Sequence, residues 1–166
     1  MPLDGWDHLE LWVGNAKQAA YWYEHALGFE RTAYAGPETG VRDRASYVLE
    51  QGEIRLVLTS GVRADSEIVR FAATHGDGAK DGALQVPDAS TAYREAVARG
   101  ARGIVEPHWA EDEHGRVELA TIGLSLRSPL VSTSRISPCS STYDARSRTP
   151  VSGPAYAVRA KPSACS

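Results

Sequence analysis

The stretch DHLELWVGNAKQAAYWYEHALG, residues 7–28, decides the fold. Leu9, Leu11 and Val13 alternate with His8, Glu10 and Trp12, the period of a half-buried strand. Gly14-Asn15 ends that strand, and Asn15 is a helix N-cap type. Residues 16–27 read as a helix with Ala19, Ala20, Trp22, Tyr23, Ala26 and Leu27 on its buried face, stopped by Gly28. Working outward, residues 29–35, 45–49 and 54–59 read as three more strands, separated by a turn at 36–40 and a hairpin at Gln51-Gly52. Ser66 caps a short helix carrying Ile68, Val69, Phe71 and Ala72.

The pattern then starts again. Moving residues 8–26 forward by 73 positions lays Leu11 on Leu84, Val13 on Val86, Asn15 on Asp88, Ala16 on Ala89 and Ala19 on Ala92. Residues 83–86, 103–109 and 116–122 read as strands, with a helix over 89–98 and a hairpin turn at 112–115. The expected class is α+β: two tandem β-α-β-β-β modules, about 6–60 and 79–123. They should make a curved, mostly antiparallel sheet with helices outside and a cup within. The same offset places a last strand at 127–132, where Pro129 cannot donate to a ladder and apolar alternation is absent. The second module is therefore expected to lack its last strand.

Composition agrees with a break there. Residues 1–123 carry 12 Lys+Arg against 20 Asp+Glu, whereas 124–166 carry 6 against 1, with 11 serines and 5 of the 9 prolines. Residues 1–123 are expected to be the folded domain and 124–166 a Ser/Pro/Arg-rich, disordered tail. A shift of reading frame would account for such a tail. The net charge of -3 argues against nucleic acid as partner. No apolar run is long enough for a membrane span and no signal segment opens the chain, so the cytoplasm is expected. Cys139 and Cys165 make neither a disulfide framework nor a zinc site.

Four stretches carry a resemblance: VGNAKQAAYWYEHALGF (13–29), AYAGPETGVRDRASYVLEQG (33–52), HGDGAKDGALQVPDA (75–89) and ARGARGIVEPHWAEDEHGRVELATIG (98–123). The tandem module resembles the vicinal oxygen chelate superfamily, and the four stretches resemble the N-terminal domain of 4-hydroxyphenylpyruvate dioxygenases. The resemblance implies a two-domain, homo-oligomeric enzyme of tyrosine catabolism. It would use Fe(II) and O2 to convert a small aromatic 2-oxo acid, 4-hydroxyphenylpyruvate, to homogentisate. In that family the two-histidine, one-carboxylate iron site lies in the C-terminal domain, so no iron ligand carries over. No catalytic, cofactor-binding or metal residue is assigned to this chain, no metal is expected on it, and by itself it is expected to be inactive. A 4-hydroxymandelate synthase fragment is an alternative. So is a stand-alone small-molecule binding protein of the glyoxalase and bleomycin-resistance type.

Four groups of residues bear on chemistry. The resemblance makes His8 on the first strand a metal-ligand position, with Glu10 and Trp12 beside it and Asp81 as its repeat mate. Two ligands make a poor iron or zinc site, and His8 reads as a hydrogen-bonded polar residue of the sheet. His108, Glu111, Asp112, Glu113 and His114 fit no standard metal spacing and read as a solvated hairpin tip. The glycine-rich 75–82 precedes a strand instead of opening a helix, which is wrong for phosphate binding, and reads as a linker turn. Trp12, Tyr21, Trp22 and Tyr23 read as packing between helix and sheet or at an interface.

Overall fold

The computed structural model describes residues 2–112, 115–123 and 133–137. The described residues divide into two compact units, one built on residues 8–80 and the other on residues 2–7, 81–112, 115–123 and 133–137.

In the first unit β1 (Gly5–Trp12) leads into α1 (Ala16–Leu27), β2 (Glu30–Ala35), β3 (Arg44–Gln51), β4 (Ile54–Gly61) and α2 (Glu67–His75). The helix starts where expected: the Asn15 side chain accepts from the Gln18 backbone N–H at 3.0 Å. It stops where Gly28 takes a left-handed φ of 76°. The strands lie in the order β2-β3-β4-β1. β1 runs parallel to β4, from Leu9 opposite Leu56 to Trp12 opposite Thr59, and the other neighbours are antiparallel. One sheet face and α1 enclose a core of Val13, Ala16, Ala20, Phe29, Tyr47, Leu49 and Leu58.

Three expectations need correcting here. Of the side chains expected on the buried face of α1, Trp22 and Leu27 are 55% and 46% exposed and Ala26 is exposed as well. Ala16, Ala20 and half-buried Tyr23 form the inward stripe at helical spacing, and Trp22, two residues past Ala20, falls on the other side of the helix. The helices do not all share one side: Phe71 of α2 packs edge-on against Trp12 at 5.5 Å, on the face opposite α1. The glycine-rich 75–82 is mostly strand, since α2 ends at His75 and β5 begins at Gly78. Glycine has no side chain to bar it from an extended ladder, and Gly82 suits the spot because a Cβ there would meet the Trp6 ring at 2.8 Å.

In the second unit β5 (Gly78–Gln85) precedes α3 (Ala89–Ala98), β6 (Arg102–Asp112), β7 (Gly115–Gly123) and β8 (Thr133–Ser137), in the sheet order β5-β8-β7-β6. β5 copies the span of β1 at the offset of 73, from Gly5 on Gly78 to Trp12 on Gln85. Asp88 caps α3 by accepting from the Thr91 backbone N–H. Val86, Ala89 and Ala92 form the packed cluster under it. Buried Glu118 accepts from the Ser90 hydroxyl and, at 3.3 Å, from the Ser90 backbone N–H, in the first turn of α3.

The second module does not lack its last strand. β8 lies parallel to β5, with Gly82 opposite Ser134, and antiparallel to β7, with Ile122 opposite Ser134. Strand pairing is made by backbone groups, so two facing edges can capture a segment without apolar alternation. The ladder simply forms beyond Pro129. Residues 124–132 and 138–166 of the expected disordered tail lie outside the described residues. Among the described residues no helix is long and apolar enough to cross a membrane.

Candidate functional site

The face of the first sheet opposite α1 holds the most concentrated buried polarity in this unit. Parallel pairing of β1 with β4 and antiparallel pairing of β3 with β4 set Thr59 between Trp12 and Ser46. Glu10 stands two residues before Trp12 and therefore on the same face. The Thr59 hydroxyl donates to a Glu10 carboxylate oxygen at 2.9 Å, and the Ser46 and Thr59 hydroxyls are 3.0 Å apart. Glu10, Ser46 and Thr59 are all buried, as is His8 on the same strand face. A buried carboxylate is tolerated only when hydrogen bonds replace its water, which gives the two hydroxyls their role.

α2 stands beside this row. Lys80 Nζ lies 4.4 Å from the Trp12 ring centre and 5.9 Å from that of Phe71, and it pairs with Glu67 at 3.5 Å. Asp77 accepts from the Gly14 backbone N–H at 2.7 Å, tying the segment after α2 to the end of β1. Sequence reasoning named none of Ser46, Thr59, Asp77 and Lys80. A hydroxyl residue in a strand gives no sign of the buried carboxylate it meets. The glycine-rich setting of Asp77 and Lys80 hid a strand.

A second polar group lies at the other edge. The Tyr34 hydroxyl donates to the Glu38 carboxylate. Burial, then that carboxylate, holds the Tyr34 phenol well above its ordinary value, and the same bond holds Glu38 below the usual carboxylate range. Tyr34 is thus a poor proton donor to anything else, and the pair anchors the turn after β2.

The remaining sequence candidates do not come together. Asp81 lies on β5, in the other unit. His108 is exposed on β6, its Nδ1 3.0 Å from the Glu106 carbonyl oxygen. Glu111 and Asp112 end β6 and Gly115 opens the antiparallel β7, opposite Asp112, while Glu113 and His114 of the expected tip lie outside the described residues. Of the aromatic group, Tyr23 packs edge-on to Phe29 at 5.7 Å, whereas Tyr21 is exposed and stacks on His25 at 3.8 Å. Among the described residues no three of His, Cys, Asp and Glu gather as a ligand set. The described residues therefore do not fit a facial iron site.

Two β-α-β-β-β modules in tandem, each closing a strand-parallel pair between its first and last strands, define the vicinal oxygen chelate fold. Within that fold, the family model described as hydroxyphenylpyruvate dioxygenase, HPPD, N-terminal matches residues 1–127. The chain belongs to this family. It is 46% identical over 121 residues to 4-hydroxyphenylpyruvate dioxygenase of Dictyostelium discoideum, a match covering 72% of this chain and 33% of that protein. The Tetrahymena thermophila 4-hydroxyphenylpyruvate dioxygenase is 42% identical over 123 residues, covering 71% and 30%. The chain thus spans about a third of the length of the curated relatives it matches. Among solved structures, a variant of 4-hydroxymandelate synthase from Streptomyces coelicolor superposes with a TM-score of 0.74 at 30% identity, covering 83% of this chain and 39% of that one. Methylmalonyl-CoA epimerase from Mycobacterium tuberculosis superposes with a TM-score of 0.63 at 18% identity, over 83% and 90%, and shows the fold alone.

Proposed function

We propose that this chain is the N-terminal, non-iron-binding domain of an enzyme that converts 4-hydroxyphenylpyruvate and O2 to homogentisate in tyrosine catabolism. A C-terminal domain would carry Fe(II), and the present domain would pack against it, support a homo-oligomer and act in the cytoplasm. What carries the reading is the match of residues 1–127 to the N-terminal family model, together with its covering only a third of the first relative's length. Fe(II) would act as Lewis acid and oxygen-binding centre in that other domain. The buried Glu10–Thr59–Ser46 row is consistent with a structural role, since the carboxylate is already held within the chain. The altered composition after residue 123 is read as departure from the family's reading frame. Translating the coding DNA in the other frames would recover an alternating strand after residue 123 if this is right.

The test is direct. The purified chain with Fe(II), reductant and 4-hydroxyphenylpyruvate should consume no oxygen and form no homogentisate. Joined to the C-terminal two-thirds of the Dictyostelium relative, residues 1–123 should support turnover. Homogentisate from the chain alone would overturn the proposal. The likeness to 4-hydroxymandelate synthase favours one sister reading, and the product of the joined enzyme, homogentisate or 4-hydroxymandelate, separates the two.

A further inference from the structure

The two helices of the first unit lie on opposite faces of one sheet and are held by different means. α1 closes on an apolar core of Val13, Phe29, Tyr47, Leu49 and Leu58. α2 has nine residues and buries Ile68 fully, while Arg70, Thr74 and His75 are exposed. Its half-buried Phe71 meets Trp12 edge-on at 5.5 Å. The chain is pinned on either side of the helix. The Val62 N–H donates to the Asp43 carbonyl at 3.1 Å, and the Gly14 N–H donates to the Asp77 carboxylate at 2.7 Å. A helix this short is marginal on its own, and the apolar surface an element buries decides how readily it detaches.

Lys80, on β5, adds a further hold. Its Nζ stands 4.4 Å from the Trp12 ring centre, 5.9 Å from that of Phe71 and 3.5 Å from a Glu67 carboxylate oxygen. Only 14% of the Lys80 side chain is exposed, against 69% of that of Glu67. One ammonium, drawn in over two rings, thus ties the first two turns of α2 to β1. We propose that α2 is a lid held shut by Lys80: residues 63–76 open as one piece between their pinned ends, the rest of the first unit stays folded, and Trp12 is uncovered at the end of the polar row. The pinned ends keep the opened segment a short loop, so little chain entropy opposes closure. The lid is independent of which reaction a C-terminal domain would run, and its test reads no turnover.

Amide exchange on the full chain, followed by NMR in rising urea, tests the lid. Amides of α2 are expected to exchange through openings at least about 100-fold more frequent than those of α1. Those openings should be nearly independent of urea, because little surface is exposed in them. Lys80→Met should raise α2 exchange about tenfold. Glu67→Gln should raise it only about two- to threefold, since a surface ion pair is worth less. Both should leave α1 unchanged, and Lys80→Arg should restore most of the protection. In protein carrying 5-fluorotryptophan, the Trp12 signal, assigned with Trp12→Phe, should show millisecond exchange that Lys80→Met enlarges, while the Trp22 signal on α1 stays indifferent. Exchange of α2 with the urea slope of α1 would overturn the proposal. So would α2 protection unmoved by Lys80→Met, equal protection in the methionine and arginine variants, or a Trp12 signal indifferent to Lys80→Met. If Lys80→Met loosens α1 as well, Glu67→Gln decides in its place: faster α2 beside unchanged α1 supports the lid, and equal acceleration of both helices overturns it.

Discussion

The two units run one plan with different interiors. At the position of Glu10 in the first unit the second carries Ala83, and at that of Ser46 it carries Leu119, each pair 73 residues apart and all four buried. The β-α-β-β-β frame therefore accepts either a carboxylate and hydroxyls or plain apolar side chains at the same points. Glu10 is not dictated by the frame; where it stands, the Thr59 hydroxyl donates to it and Ser46 bonds Thr59 in turn. Among the described residues the larger packed cluster lies in the first unit, while the second has a smaller one under α3 beside buried Leu119, Ala120 and Ile122.

That contrast can be broken most sharply at matched core positions. Leu49→Ala in the first unit should cost about 4 kcal/mol, and its repeat mate Ile122→Ala about 2–3 kcal/mol, by urea denaturation. Equal losses would mean that the second core is as continuous as the first. Next in size, Thr59→Val should cost about 2 kcal/mol, because it strips a hydroxyl from a buried carboxylate. The double variant with Glu10→Leu should recover much of that loss. If the single variant is neutral, the hydroxyl does not hold Glu10.

Gly82→Ala should cost about 1–2 kcal/mol by pushing the Trp6 ring off β5, visible as a shift in tryptophan emission. An unshifted spectrum at full stability would show that Trp6 does not rest there.

The smallest effect separates the helix caps. Asn15→Ala and Asp88→Ala should each cost about 1 kcal/mol at pH 7. Hydrogen bonds from Thr91 hold the Asp88 carboxyl below its usual value. Its contribution is therefore complete above about pH 4, the unfolded value, and fades as pH falls through the lower folded value. Asn15 does not titrate. Amide exchange at pH 3 against pH 7 should loosen the first turn of α3 and leave that of α1 unchanged relative to global stability.

Most of this fold was legible along the chain because it rests on local rules. Alternation in 8–13, Asn15 and Asp88 as caps, Gly28 as a stop and the offset of 73 are all short-range signals, and each stands where it was read. What failed was long-range. Trp22 reads as inward, but the stripe α1 turns to the sheet runs through Ala16, Ala20 and Tyr23, and packing decides which side of a helix meets its neighbour. The polar row was invisible because Glu10, Ser46 and Thr59 lie on three strands, and only registry brings them within hydrogen-bonding distance.

The sequence by itself therefore determined the two-module plan and its caps, since these depend on residues a few positions apart and on repeated order. The tertiary structure alone decided which polar side chains share a buried face and that a strand without alternation completes the second sheet. Both depend on which backbone edges face each other, and edges far apart in the chain leave no local mark on the residues that will meet them.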